Sequence, residues 1–247
     1  MPILEKDGRR VYFAHVPKAG GTSIYCAFAQ SGWRISNITK RDSPHTAFQI
    51  LRNQYNVDDI PQSGRTWRYP FSLQHSPRII WRTWGPFDES FAIIRDPLTR
   101  FTSSLSYHYR YNPSLQNCHG SPQALLDFIL DELATHRFAK YKLLDGHLIP
   151  QRHLVSRRTI LFSFETDWAG AIESRYGLVA GSITLVNKGE SKRPQLKPEQ
   201  QAKLEKIYKR DIQLHQRIIR SSSTATLYQL FTTSPESEYP LNKTTED

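Results

Sequence analysis

An α/β fold, with a central parallel β-sheet flanked by helices on both faces, is what this sequence predicts, on three observations. Short apolar, β-branched or aromatic runs occur at 11–16, 91–94 and 159–164. Each run stops at a turn and gives way to an amphipathic segment with helical spacing. The chain has 247 residues and 38% hydrophobic content, with twelve Phe, twelve Tyr and five Trp, enough to enclose such a sheet in one core. No linker-like stretch divides it, so 1–231 reads as a single domain and the polar segment 232–247 as a disordered tail.

The first run, Val11, Tyr12, Phe13, Ala14 and Val16, has the composition of a fully buried strand. Pro17 cannot continue a ladder, and Gly20-Gly21 open backbone conformations that a side chain forbids. Thr22 and Ser23 are placed to cap a helix over about 22–30, which Ser31-Gly32 ends. Strand, glycine turn and helix N-terminus gather unpaired N–H groups and a positive dipole end, and Lys18 adds a full charge: a phosphate site. In the common nucleotide loop, G-x-x-x-x-G-K-[ST], the lysine follows the second glycine. Here Lys18 precedes both glycines, which disfavours an ATP or GTP hydrolase.

Residues 33–90 are broken by Pro44, Pro61, Gly64, Pro70, Pro77, Gly85 and Pro86, with one helix expected over His45–Gln54. A long irregular stretch of this kind commonly carries function. His45, His75 and the acidic pair Asp88-Glu89 are its candidate proton acceptors, histidine being suited to the task near neutral pH. Trp67, Tyr69, Phe71, Trp81 and Trp84 can stack on sugar rings or fill the core.

The second run, Phe91–Ile94, leads through Arg95 and Asp96 into a helix opened by Pro97 and expected to reach Tyr109. Arg95 stands at the carboxyl end of the strand, and Ser103 follows two helical turns later. A guanidinium and a hydroxyl so placed suit a phosphate dianion.

Beyond a loop at 112–122, Leu125, Leu126, Phe128, Ile129, Leu130 and Leu133 mark an amphipathic helix, and HRFAKYK a basic face. The third strand, Thr159–Phe164, precedes a helix over Asp167–Tyr176. A polar loop with Lys188, Lys192, Arg193 and Lys197 leads to a helix over Pro198–Arg220, and a weaker helix is expected over Thr224–Phe231.

Taken together, VYFAHVPKAGGTS and FAIIRDPLTRFTSS resemble the two nucleotide motifs of sulfotransferases that use 3′-phosphoadenosine 5′-phosphosulfate (PAPS). The similarity is to the carbohydrate-sulfotransferase branch, in its soluble bacterial form, and to the patterns H-x-P-K-[TA]-[GA]-G-T-S and R-x-P-x-x-R-x-x-S. It extends over about residues 10–215, ending in a Y-x-x-D pattern at Tyr208 and Asp211. The resemblance implies a P-loop NTPase-like sulfotransferase fold and a sulfuryl transfer from PAPS to a hydroxyl, most simply of a carbohydrate, releasing adenosine 3′,5′-bisphosphate without a metal. It assigns Lys18, Ala19, Gly20, Gly21, Thr22 and Ser23 to the 5′-phosphosulfate, and Arg95 and Ser103 to the 3′-phosphate. Lys192 or Arg193 joins them from the polar loop. Lys18 and His75 become the catalytic pair, with His45 and the segment H-x-x-P-Q, here His147, Gln151 and the following Arg152, near the acceptor.

The formal net charge of +10 favours anionic partners without choosing among nucleotides, acidic glycans, nucleic acid and membranes. Cys26 and Cys118 make no disulfide framework, MPILEKDGRR lacks the apolar core of a signal peptide, and no run is long enough to span a membrane. A cytoplasmic protein is therefore expected. Three other classes share parts of this pattern: a catalytically silent PAPS-fold protein, a nucleotide kinase built on the same strand-loop-helix physics, and a nucleic-acid-binding module. Neither H-E-x-x-H nor G-x-S-x-G occurs, so metal-dependent and Ser-His-Asp hydrolysis have no support.

Overall fold

The computed structural model describes residues 2–38, 57–59, 85–136, 139–184, 193–221, 224–226 and 229–230. Seven strands among them form one sheet in the order β4-β3-β1-β2-β5-β6-β7. They are β1 (Ile3–Lys6), β2 (Arg9–Phe13), β3 (Arg34–Ile38), β4 (Val57–Asp59), β5 (Glu89–Ile94), β6 (Ile160–Ser163) and β7 (Thr224–Thr226). The helices are α1 (Gly21–Gln30), α2 (Pro97–Tyr111), α3 (Pro113–His119), α4 (Pro122–Thr135), α5 (Ala139–Lys142), α6 (Trp168–Tyr176) and α7 (Pro198–Arg220).

The three expected strands are the centre of this sheet. β2 pairs parallel with β5, Val11 opposite Glu89 and Phe13 opposite Phe91, and β5 pairs parallel with β6, Ile94 opposite Ser163. A wholly parallel sheet is not what forms, however. β1 runs antiparallel to both β2 and β3, and β7 antiparallel to β6, so the sheet is mixed. The first departure has a local cause: Asp7 and Gly8 both have positive φ, 49° and 77°, the geometry of a tight hairpin turn. The second replaces the helix expected from Thr224, because the Thr-Ala-Thr backbone completes a ladder on β6. The loop expected at 112–122 also contains a helix, α3, with Pro113 at its first position. The Asn112 side chain accepts from Ser114 and Leu115 N–H, and left-handed Gly120 ends it.

The core explains why the central strands read so clearly. Phe91 stacks on Phe13 at 4.8 Å, lies 5.8 Å from Phe28 of α1 and meets Tyr176 of α6 at 4.9 Å. Burying such a ring contributes about 2–3 kcal/mol, which ties two helices to the middle of the sheet. A second apolar cluster, including Phe101, Leu105, Leu126, Leu130, Leu148, Leu204 and Tyr208, joins α2, α4 and α7. Among the described residues no helix is long and apolar enough to cross a membrane. Cys26 and Cys118 are not bridged.

Because β2, β5 and β6 are parallel neighbours, their carboxyl ends share one rim. Ala14 N–H donates to Phe91 O and Phe164 N–H to Ile94 O, both at 2.8 Å, carrying the ladders to that rim. Three connections begin there: the turn before α1, the turn before α2 and the turn before α6. A parallel α/β sheet collects ligands at such an edge.

Candidate functional site

The first connection is built by two left-handed residues. Lys18 has φ 65° and Gly20 φ 81°, and α1 begins at Gly21. Gly20, not Thr22 or Ser23, is the N-cap, and it supplies no side-chain bond to the helix. Thr22 and Ser23 instead occupy the first turn. The two glycines are required for different reasons. Gly20 holds a conformation that L side chains rarely adopt, and a Cβ on Gly21 would lie 2.2 Å from Nε2 of His15. His15 is a buried spacer. Its Nδ1 is 2.8 Å from the Tyr25 hydroxyl, and burial, assisted by Lys18, pushes its pKa down to about 3, so it is neutral under the helix start.

The second connection carries Arg95. Asp96 caps α2 by accepting from Thr99 N–H at 2.7 Å, and Pro97 takes the first helical position. The Arg95 guanidinium folds back toward the first connection: Nη1 donates to Lys18 O at 2.8 Å, and its Cζ stands 4.5 Å from the centre of the Phe164 ring. The two motifs, 77 positions apart in sequence, therefore touch. Nε of Arg95 is buried and has no hydrogen-bond acceptor. Ser103, half-buried two turns along α2, faces the same question of an absent partner, since its hydroxyl bonds to no described residue.

Charge accumulates where these turns meet. Burial, then Arg95, then Arg193 push the Lys18 ammonium down to about 8. Arg95 is lowered too, by burial first and then by Arg193, while Glu165 and Asp96 pull the other way. Three cations thus feel one another's repulsion. Among the described residues none of the three forms an ion pair with a carboxylate, and the Lys18 ammonium sits over the Tyr107 ring, 4.0 Å from its centre. A helix start without a side-chain cap, a buried arginine N–H without an acceptor and clustered cations are together the features of a candidate anion site.

The remaining expected site residues divide sharply. Arg193 is exposed and close enough to perturb Lys18 and Arg95. His147 is buried, stacked on Tyr107 at 5.7 Å and 4.5 Å from His108. Gln151 is fully buried and bonded to the Arg95 backbone, so it lacks the exposure of an acceptor contact, whereas Arg152 is partly exposed with its Nε 3.9 Å from Asp211. Arg100, the second arginine of its motif, is also fully buried; it donates to His147 O and Ile149 O at 2.7 and 2.9 Å and holds the fold rather than a ligand. Asp88 and Glu89 lie at the opposite, amino end of β5, where Asp88 accepts from Arg10 N–H and Glu89 from Arg175 and Tyr176. As bases for chemistry at the rim they are excluded by position. His45, His75, Lys192 and the aromatic residues Trp67, Tyr69, Phe71, Trp81 and Trp84 lie outside the described residues.

Two contributors were not foreseen. Tyr107 supplies the ring beneath Lys18, and Glu165 accepts from Asp96 N–H at 2.9 Å while pairing with His215 at 2.7 Å. Tyr107 lies four residues after Ser103 on the helix that Arg95 opens, a one-turn spacing readable in the sequence. Nothing local marks Glu165 or His215.

Comparison with protein-family models, with curated proteins and with solved structures returns no match for this chain.

Proposed function

We propose that this chain is a PAPS-dependent O-sulfotransferase acting on a hydroxyl of an acceptor, most simply a carbohydrate, and that its sheet is the core of a P-loop NTPase-like sulfotransferase fold. The observation that carries this assignment is the bond from Arg95 Nη1 to Lys18 O, which joins the two motif turns at one rim and brings their cations together. A nucleotide with phosphate at both ends of its ribose needs two anion sites a few ångströms apart, one built by a helix start and one by a guanidinium.

In this mechanism the N–H groups of Ala19 to Ser23, with the Thr22 and Ser23 hydroxyls, hold the 5′-phosphosulfate. Arg95 and Ser103 take the 3′-phosphate, with Arg193 and Lys192 closing from the polar loop. The acceptor oxygen attacks sulfur in line, a new S–O bond forms, and the S–O bond to the phosphate breaks with its electron pair remaining on the phosphate oxygen. Lys18, charged below a pKa of about 8, stabilises that oxygen. His75 accepts the acceptor hydroxyl's proton, and adenosine 3′,5′-bisphosphate leaves. Positive charge from side chains and the helix start serves without a metal. A cytoplasmic location, where PAPS is made available as a soluble donor, belongs to the same reading.

A sulfur-35 transfer assay with PAPS and a panel of glycans tests it. Label transfer to a glycan is the expected result; binding of adenosine 3′,5′-bisphosphate with no transfer to any hydroxyl would make the protein a silent nucleotide binder, and tighter binding of ATP would make it a kinase.

A further inference from the structure

We infer that Gln151 and Asp211 are positioning residues that set the aim of Arg95, a role that rests on the 3′-phosphate assignment above. At the end of β5 the ladder runs out: Ile94 O is taken by Phe164 N–H, and Arg95 has no strand residue opposite it. The Gln151 side-chain amide fills that place. Its Oε1 accepts from Arg95 N–H at 3.0 Å and its Nε2 donates to Arg95 O at 2.7 Å, so one amide reproduces both bonds of a ladder partner.

Gln151 is itself held. Its main-chain N–H donates to Oδ2 of Asp211 at 2.5 Å, and Arg152 N–H to Oδ1 at 3.3 Å. Asp211 is almost completely buried on α7, one turn beyond Tyr208, whose hydroxyl donates to Leu148 O at 2.8 Å. A chain of bonds therefore runs from α7 through Gln151 to Arg95 and, by Nη1, to Lys18 O. It fixes the backbone of the residue whose guanidinium must meet a dianion, leaving fewer arrangements to be lost when the ligand binds. Full burial of Gln151 is what separates this role from a contact to the acceptor.

The test is the ratio of dissociation constants for adenosine 5′-monophosphate and adenosine 3′,5′-bisphosphate, measured by titration calorimetry on the full chain. Wild type prefers the bisphosphate. Gln151→Met, close in volume but without the amide, is expected to cut that preference about ten-fold while leaving the monophosphate within about two-fold, the size of one charged hydrogen bond lost from alignment. Asp211→Asn, which keeps an acceptor oxygen, is expected to cut it about three-fold, as for a weakened but retained bond. A purely structural role would lower the folded fraction and leave the ratio unmoved, and an unchanged ratio in Gln151→Met overturns the inference. If that variant does not fold, Gln151→Glu, which keeps the acceptor for Arg95 N–H and loses the donor, carries the same two outcomes. A wild type with no preference for the 3′-phosphate instead overturns the sulfotransferase assignment, and this inference with it.

Discussion

The two ends of β5 are charged in opposite styles. At the amino end Glu89 is surrounded by Arg175, Tyr176 and Arg9, and the exposed Asp88 accepts from the Arg10 N–H. Burial works to raise the Glu89 pKa, yet the bonds from Arg175 and Tyr176 hold it below the usual carboxylate range. Cations and a carboxylate are brought together there by the protein itself, Glu89 with Arg175 and Arg9. At the carboxyl end Lys18, Arg95 and Arg193 repel one another, and Glu165 and Asp96, which act on Arg95, are occupied with His215 and Thr99 N–H. Charges paired within the protein contribute to the fold; a cation cluster without a carboxylate partner among the described residues is what the proposed nucleotide site rests on.

The contrast breaks most severely if Lys18 is removed. Lys18→Ala should lower sulfuryl transfer from PAPS by about 10²–10³-fold, the usual cost of losing one preorganised charge at a developing anion, with the melting temperature nearly unchanged. Turnover at the wild-type rate would show that the lysine's charge has no part in the chemistry. Next in size is Gly21→Ala. Its Cβ would fall 2.2 Å from the His15 ring, and since His15 is locked by Tyr25 the turn must shift, costing about 2–3 kcal/mol in denaturant unfolding. Wild-type stability would mean that the close approach is not part of the fold.

A pH titration sharpens the comparison without a mutation. Lys18 titrates at about 8 in the free protein against 10.5 ordinarily, so it carries its charge below pH 8 and loses it as the pH rises. Affinity for adenosine 3′,5′-bisphosphate should therefore fall as the pH rises through 8, with proton uptake on binding above it. The unfolded chain holds that proton up to about 10.5, so the same group makes stability rise with pH between those values. Binding that is flat across pH 7–10 would remove Lys18 from the anion site. The smallest effect belongs to the other end of the strand: Glu89→Gln should cost about 1 kcal/mol of stability, because its partner Arg175 is exposed, and should leave nucleotide affinity untouched. A loss of affinity there would mean the two ends are not independent.

How far these features could be read from residues alone follows from the range of the interactions that make them. β2, β5 and β6 were legible because strands buried on both faces are continuous apolar runs, and α7 was legible to its ends from its periodicity. The β1 hairpin was missed although Asp7-Gly8, a strong turn signal, was present; four residues of ILEK are too few to display an alternation. β7 was taken for a helix because its strand state comes from pairing with β6, a partner more than sixty residues away. Lys18 and Arg95 were paired correctly because each follows a parallel strand, so topology alone brings them to one rim. Gln151 shows the converse. The H-x-x-P-Q resemblance leaves it open between an acceptor contact and a structural turn, and only the fold reveals that it is buried, with its amide on Arg95 and its N–H on Asp211.

Calorimetric titration of adenosine 3′,5′-bisphosphate and of ATP, each into wild type and into Arg95→Ala, bears most directly on the claim that two turns grip the two ends of one nucleotide. The bisphosphate should bind wild type about 10²-fold more tightly than ATP, and Arg95→Ala should erase most of that margin, since a guanidinium clamp on a phosphate is among the strongest hydrogen-bonded contacts. ATP binding as tightly as the bisphosphate, or a margin that survives the loss of Arg95, would contradict it.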